Sequence, residues 1–314
     1  MGIGEKNVAI NGYYFTAPVG LGVVTRCISE CLPMAHLDIV TSGWPLEPRF
    51  KPYYELGYAW RRRAFQVRIH PYLAAAVDSM SLLVVHDLIG NAGTPSSVHK
   101  LAIARAGALA TVSQMSRVAI SQRFGREPTV IPIYPASEFY EMPRHIADRS
   151  TTKQGPTLGY WSGYGSHKAW ELLDDLSLSK IGQVWAAGCY PRSAAKVKSC
   201  GRLDQEGLIR QIDLTDVGIF PSRAEGFGLP PLESALRGVP IVVRNLPAYH
   251  EFLDFTKDGL FPFDSDEEMP RAIFRALEFG RRDRPLDCVR NDSLARVRSD
   301  LRAALLEVLS TIGR

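Results

Sequence analysis

The stretch that most constrains the fold runs from Asp216 to Glu251, DVGIFPSRAEGFGLPPLESALRGVPIVVRNLPAYHE. Its opening run, VGIF, is short, apolar and uninterrupted, the pattern of a strand buried on both faces of a parallel sheet. Pro221 and Ser222 end that run, Gly226 and Gly228 turn the chain, and Pro230 and Pro231 open a helix. The resulting order is strand, glycine loop, helix N-terminus. The first N–H groups of a helix have no partner inside it, the dipole is positive at that end, and glycine lets a ligand approach the backbone closely. Such a construction suits a phosphate or diphosphate.

Two glutamates flank the loop: Glu225 stands before it and Glu233 lies in the helix, with seven residues between them. A carboxylate only accepts hydrogen bonds, so two of them beside a phosphate cradle suit a ligand that also carries hydroxyl donors. A nucleotide sugar is such a ligand. Read singly, Glu225 is equally a solvated loop residue and Glu233 an acid favoured by the helix dipole.

The string PSRAEGFGLPPLESALRGVPIVV resembles the signature of the family-4 retaining glycosyltransferases of GT-B fold, in which E-x7-E is embedded in PSxxEGFGLPxLEAxAxGxPVV. The resemblance is strong from about residue 199 to 263, moderate from 81 to 132 and weak elsewhere. It implies that Glu225 contacts a donor sugar and Glu233 the ribose hydroxyls. It further implies that Gly226 and the backbone of Phe227, Gly228 and Leu229 meet sugar and phosphate oxygens. The implied activity is metal-independent transfer of a hexosyl unit from a nucleoside diphosphate sugar, with retention at the anomeric carbon, to a glycan or lipid-linked acceptor. Surface polysaccharide or glycoconjugate synthesis is the setting this suggests. No cofactor and no bound metal are expected, the nucleotide sugar being substrate.

At 314 residues, 46% hydrophobic and 22% charged, the chain is long enough for two domains with separate cores. The pattern predicts an N-terminal Rossmann-like domain over 1–150 and a nucleotide-sugar-binding Rossmann-like domain over 151–290. A final helix over 291–314 is expected to pack back on the first domain. The GT-B resemblance implies that the two doubly wound α/β domains face each other across a cleft. No apolar window reaches the length of a membrane span and no leader pattern opens the chain, so a cytoplasmic protein is expected. Lys and Arg outnumber Asp and Glu by 15 to 11 in residues 1–150 and balance them at 22 to 22 in the remainder. That excess is too small for nucleic-acid binding without a motif, and it leaves open peripheral contact with an anionic inner-membrane face. Arg61, Arg62 and Arg63 beside Trp60 serve such a contact or solvate one helix face. Five cysteines without a CxxC spacing read as reduced thiols, with Cys27 and Cys31 one turn apart facing the core. Nothing in the pattern sets an oligomeric state.

Along the chain, NVAINGYYF reads as a first strand and TAPVGLG as its loop, which places Pro18, Gly20 and Gly22 at a sheet's carboxyl end, where open α/β sheets bind ligands. The alternative is a plain turn. LDIVTSG is a second strand, and the aromatic, basic stretch from Trp44 to Leu73 reads as irregular. SLLVVHDLIG closes a buried strand on His86 and Asp87; by resemblance His86 bonds the donor sugar near the leaving oxygen and Asp87 supports the loop. KLAIARAGALATVSQMSRVAISQRFG reads as helix, strand and helix with Ser113 as a cap. The linker is placed in YPASEFYEMPRHIADRSTTKQGP.

Lys168, read as opening a helix after a glycine loop, stands where the family keeps a lysine for the donor diphosphate, the alternative being a surface helix residue. The family's partner arginine, about six residues earlier, is Ser162 here. Arg192 and Arg223 are the candidates to replace it. That departure favours the alternative of a nucleotide-sugar-binding accessory protein that has lost turnover. The DSD at 264–266 reads as a helix cap, Ser265 or Asp266, and not as a metal site.

Overall fold

A computed structural model describes residues 8–12, 20–32, 36–39, 65–68, 77, 79, 81–85, 97–144, 155–162, 166–174, 181–188, 197–201, 203–290 and 293–312. His86, Asp87, Pro18, Arg61, Arg62, Arg63, Arg192 and Cys189 lie outside them. Packing divides the chain into one unit of Met1–Tyr134 with Ala295–Arg314 and a second of Pro135–Leu294.

In the first unit a six-stranded parallel sheet has the order β2-β1-β3-β4-β5-β6, from β1 Val8–Gly12, β2 His36–Ile39, β3 Phe65–Arg68, β4 Ser81–Val85, β5 Ala108–Thr111 and β6 Thr129–Val130. The helices are α1 Gly20–Cys31, α2 Ser97–Arg105 and α3 Gln114–Phe124. Ser113 caps α3 as expected, its side chain accepting from the Ser116 N–H at 3.1 Å. Two expectations need correction. The stretch around Phe65 is not wholly irregular: β3 pairs with β1 on one side and β4 on the other. Its alternation, Phe, Gln, Val, Arg, fits a strand but is only four residues long and follows three arginines, which hid it. Gly20 and Gly22 are not loop residues but belong to the first turn of α1. Glycine disfavours helix interiors by entropy, yet at a first turn it leaves the unpaired N–H groups open to approach.

Cys27 and Cys31 are buried on α1 as their spacing required. The Cys27 thiol donates to the Tyr134 carbonyl at 3.3 Å, and Arg298 of the C-terminal helix bonds Glu30 of α1 at 2.7 Å. That helix buries Val297, Leu301, Leu305 and Leu309, the leucine spacing seen in the sequence.

In the second unit a second six-stranded parallel sheet has the order β12-β11-β10-β7-β8-β9. Its strands are β7 Thr157–Ser162, β8 Gln183–Gly188, β9 Val197–Gly201, β10 Val217–Phe220, β11 Ile241–Arg244 and β12 Leu260–Phe263. Every pairing is parallel, and the reversal of strand order between β7 and β10 makes the sheet doubly wound. Its helices follow as α4 Glu138–Glu141, α5 Gln205–Asp213, α6 Leu229–Leu236 and α7 Met269–Phe279, while the C-terminal helix α8 Leu294–Thr311 belongs from Ala295 on to the first unit. The core joins Leu158, Val184, Ile219 and Val242 of the strands to Ile273 and Ala276 of α7. The described start of the expected linker is packed: Arg144 donates to the Leu236 carbonyl at 2.9 Å, and Arg237 holds the carbonyls of Met142 and Pro143 at 2.7 and 2.9 Å.

Candidate functional site

β10 is four buried residues, and the chain leaves its carboxyl end through Pro221 and Ser222 into the loop that α6 receives. Gly228 is the hinge of that loop. Its φ is +100°, a conformation that L side chains rarely adopt, and a Cβ there would lie 2.2 Å from Cε1 of Tyr249. Only glycine fits both constraints. Phe227 buries its ring against Phe252, stacked at 4.6 Å, so the face it offers a ligand is its backbone. Pro230 and Pro231 stand in the first turn of α6 and have no N–H to give. The backbone donors of this helix start are therefore gathered at Gly226, Phe227, Gly228 and Leu229. Trp161 of β7 pins the turn, its indole N–H donating to the Pro230 carbonyl at 3.3 Å.

Two acids lie beside these donors, Glu225 8% exposed and Glu233 6% exposed. The bland reading of Glu225 as a solvated residue is thereby excluded. Lys168 reaches it from 57 residues away: Nζ lies 2.8 Å from Oε1 and 2.7 Å from Oε2, so one ammonium serves both carboxylate oxygens. Lys168 is mostly buried too, its side chain 15% exposed. Its local setting corrects the sequence reading. Ser166–Lys168 and Trp170–Asp174 are short 3-10 turns, not one α-helix, and Ala169 between them has φ +50°. A left-handed residue stops helix propagation there. The loop is also tied to this segment directly, the Arg223 N–H donating to the His167 carbonyl at 2.6 Å.

The remaining candidates fall as follows. Ser162 is the last residue of β7. Arg223 is half exposed and pairs with Glu171 and, at 3.5 Å, with Asp266. The Glu171 bond first, then the charges of Glu171 and Asp266, push its pKa up. In the DSD segment, Asp264 accepts from the Asn245 amide at 3.0 Å and Asp266 pairs with Arg244. Glu268 closes the capping box on Ser265 by accepting from the Asp264 and Ser265 N–H groups at 2.8 and 3.4 Å. Among the described residues no group of three or more His, Cys, Asp or Glu side chains is placed to hold a metal. The loop, Lys168, Glu225 and Glu233 thus come together in the second unit, Gly20 and Gly22 sit at a helix start in the first, and His86 lies outside the described residues.

Sequence reasoning missed Tyr249, which follows β11 in the 3-10 turn Pro247–Glu251 and is fully buried. Burial first and the Glu225 charge second hold its phenol well above the ordinary range. Its only signal in the sequence is an aromatic residue a few positions beyond a strand's carboxyl end.

Residues 174–278 match the family described as Glycosyl transferases group 1. The O-antigen chain mannosyltransferase RfbU of Salmonella typhimurium is 33% identical over 60 residues, 19% of this chain and 16% of that protein. The shared stretch is thus about a sixth of that relative's length. Among solved structures, HepE of Anabaena in complex with UDP and glucose aligns with a TM-score of 0.61 at 14% identity, covering 97% of this chain and 95% of that one. The catalytic domain of starch synthase IV from Arabidopsis thaliana bound to ADP and acarbose aligns with a TM-score of 0.63 at 12% identity, over 98% and 99%. The fold is GT-B, two doubly wound α/β units in one chain.

Proposed function

We propose that this GT-B chain is a retaining, metal-independent glycosyltransferase that moves a hexosyl unit from a nucleoside diphosphate sugar to a glycan or lipid-linked acceptor in surface polysaccharide synthesis. The single observation that carries the reading is the Lys168–Glu225 pair at the donor-rich start of α6. Breaking the bond between sugar and diphosphate puts negative charge on the leaving group. Lys168 and the N–H groups of Gly226 to Leu229 are the donors that can meet that charge, while Glu225 and Glu233 accept from hydroxyls. The group 1 match over residues 174–278 supports the class. RfbU, a mannosyltransferase of O-antigen chains, supports the setting. HepE was solved with UDP and starch synthase IV with ADP, which supports a nucleotide-sugar donor and leaves the base open. In this reading the protein works at the cytoplasmic face of a membrane that carries its acceptor; among the described residues no helix is long and apolar enough to cross one.

The test is turnover of a panel of UDP-, GDP- and ADP-sugars. Glu225→Ala and Glu233→Ala should each cut transfer by orders of magnitude with unfolding curves like wild type, and activity should survive EDTA. Normal turnover in either variant removes the site assignment, and loss with EDTA that magnesium or manganese restores removes metal independence. Ser162 in place of an arginine favours a second reading, a sugar-nucleotide-binding accessory protein, which predicts donor binding without transfer.

A further inference from the structure

Lys168 meets Glu225 from a kinked stretch of backbone. Ala169, the next residue, has φ +50°, and among the described residues it is the one non-glycine with a positive φ. The left-handed region crowds a Cβ, so an alanine stays there only where contacts fix the chain on both sides of it. Ala169 is itself fully buried. Without such contacts it would relax toward the right-handed region and carry the Lys168 side chain with it.

Arg223, in the loop that leaves β10, grips both sides of this kink. Its backbone N–H donates to the carbonyl of His167, two residues before Ala169, at 2.6 Å, and its Nη1 donates to Oε1 of Glu171, two residues after Ala169. The other arm, Nη2, lies 3.5 Å from Oδ2 of Asp266, whose second oxygen takes Arg244 of β11. Arg244 returns to the same loop, its Nε donating to the Pro221 carbonyl at 3.2 Å. These contacts run across the carboxyl ends of β7, β10, β11 and β12, neighbours in the sheet, at the end where open α/β sheets bind ligands. Arg223 and Glu171 are each nearly half exposed, and such pairs add little to overall stability. The effect of this one is local: it ties the backbone on either side of Lys168 to the loop that carries Glu225.

Resting on the donor-site reading above, we propose that Arg223 is a positioning residue: by bridging to Glu171 it keeps Ala169 left-handed and so places the Lys168 ammonium for a nucleoside diphosphate, without touching that ligand itself. The guanidinium therefore does not stand in for the arginine that Ser162 replaces. Both its arms stay on carboxylates, and Lys168 remains the side chain that meets the phosphates.

Calorimetric titration of UDP, GDP and ADP into wild type, Lys168→Ala, Arg223→Gln, Glu171→Gln and the variant carrying both glutamines tests this, with urea unfolding of each. Arg223→Gln and Glu171→Gln should each bind the preferred diphosphate about ten-fold more weakly. The double variant should be no weaker than either single one, because both changes remove the same contact. Unfolding midpoints should stay at the wild-type value. Glycine takes the left-handed region without penalty, so Ala169→Gly added to Glu171→Gln should recover most of the affinity. A guanidinium that met the phosphates itself would be set free by Glu171→Gln. Tighter binding in that variant, or a double variant much weaker than Glu171→Gln alone, therefore overturns the proposal and makes Arg223 a phosphate ligand. Binding lost only in step with a fall in the urea midpoint marks a merely structural pair and overturns it too, as does a loss that Ala169→Gly leaves in place. Affinity that depends on Lys168 but is unchanged in Arg223→Gln overturns it and leaves the donor-site reading standing. Failure of wild type to bind any diphosphate, or full affinity in Lys168→Ala, overturns both.

Discussion

Among the described residues of the second unit, the buried ion pairs Arg237–Asp213 and Lys168–Glu225 each join segments distant in sequence, and the two are built differently. Arg237 and Asp213 have side chains 0% and 1% exposed and meet in a fork: Nε to Oδ1 at 2.9 Å and Nη2 to Oδ2 at 2.6 Å. Nη1 and Nη2 also hold the carbonyls of Met142 and Pro143. A planar guanidinium with several directed donors is well suited to such a closed arrangement. Lys168 is a single ammonium on a flexible stem, and its pair with Glu225 borders a loop made of glycines and the start of a helix. One pair locks α5, α6 and the segment leading into the unit; the other holds charge in a place a ligand can claim.

The largest effect should come from breaking the lock. Removing one member of a buried pair strands the other, and Arg237→Ala should cost about 3 to 5 kcal/mol of stability. Arg281, 3.8 Å from Oδ1 of Asp213, and Arg144, whose charge also acts on Asp213, are other cations near it. Urea unfolding measures the loss, and a change under about 1 kcal/mol would show that Asp213 is served adequately without Arg237. Lys168→Ala should cost less, about 1 to 2 kcal/mol, because its site retains some access to water.

On ligand binding the ranking should invert. A charge-assisted hydrogen bond contributes about 1.5 to 3 kcal/mol, or roughly 10- to 150-fold in affinity. Lys168→Ala should lose that much for a nucleoside diphosphate, whereas a conservative change at Arg237 that still folds, such as Arg237→Lys, should lose little. Ser162→Arg in the Lys168→Ala background should recover part of the binding. Equal losses at both positions would erase the distinction between lock and site.

Gly228→Ala sharpens the comparison at the loop itself. Holding alanine at φ +100° costs about 1 to 3 kcal/mol, and its Cβ would press on the Tyr249 ring. The variant should therefore lose stability comparable to Lys168→Ala and also bind diphosphate more weakly. Stability lost with full binding would mean that the loop tolerates displacement and that its backbone is not the cradle.

How much of this was legible in the sequence follows from what is local. The strand, glycine loop and helix from Val217 to Leu236 are contiguous, and the boundaries set by Gly228, Pro230 and Pro231 came from single residues with strong conformational preferences. The capping box at Ser265 and Glu268 spans one turn and was equally visible. Phe65–Arg68 was hidden because four alternating residues beside an arginine run carry little periodic signal. Gly20 and Gly22 were placed one element too early because glycine marks loops and helix starts alike. The Lys168–Glu225 and Arg237–Asp213 pairs depend on which strand lies next to which, and strand order is not written in any local window. Tyr249 was missed for the same reason: its importance comes from what Gly228 lacks, a Cβ, at a point 21 positions earlier in the chain.

The smallest effect concerns a buried group with no ion pair at all. Cys27 is fully buried and its thiol is pushed up from 9.0 to about 11, by burial first, with the Arg26 charge pulling the other way. A folded-state pKa above the unfolded one gives stability that is fully present below about pH 9 and lost as pH rises toward 11, because the unfolded chain releases this proton first. By pH ~10 the loss from this thiol should be about 1 kcal/mol. Other groups titrate in the same range, so the quantity to read is a difference: unfolding free energy against pH from 8 to 11 for wild type and for Cys27→Ala. The alanine variant should start less stable, having lost a buried sulfur, and fall less steeply, so that the two curves converge as pH rises. Parallel curves would mean that Cys27 titrates alike in both states, and that charge can enter this part of the first unit without the closed fork that Asp213 requires in the second.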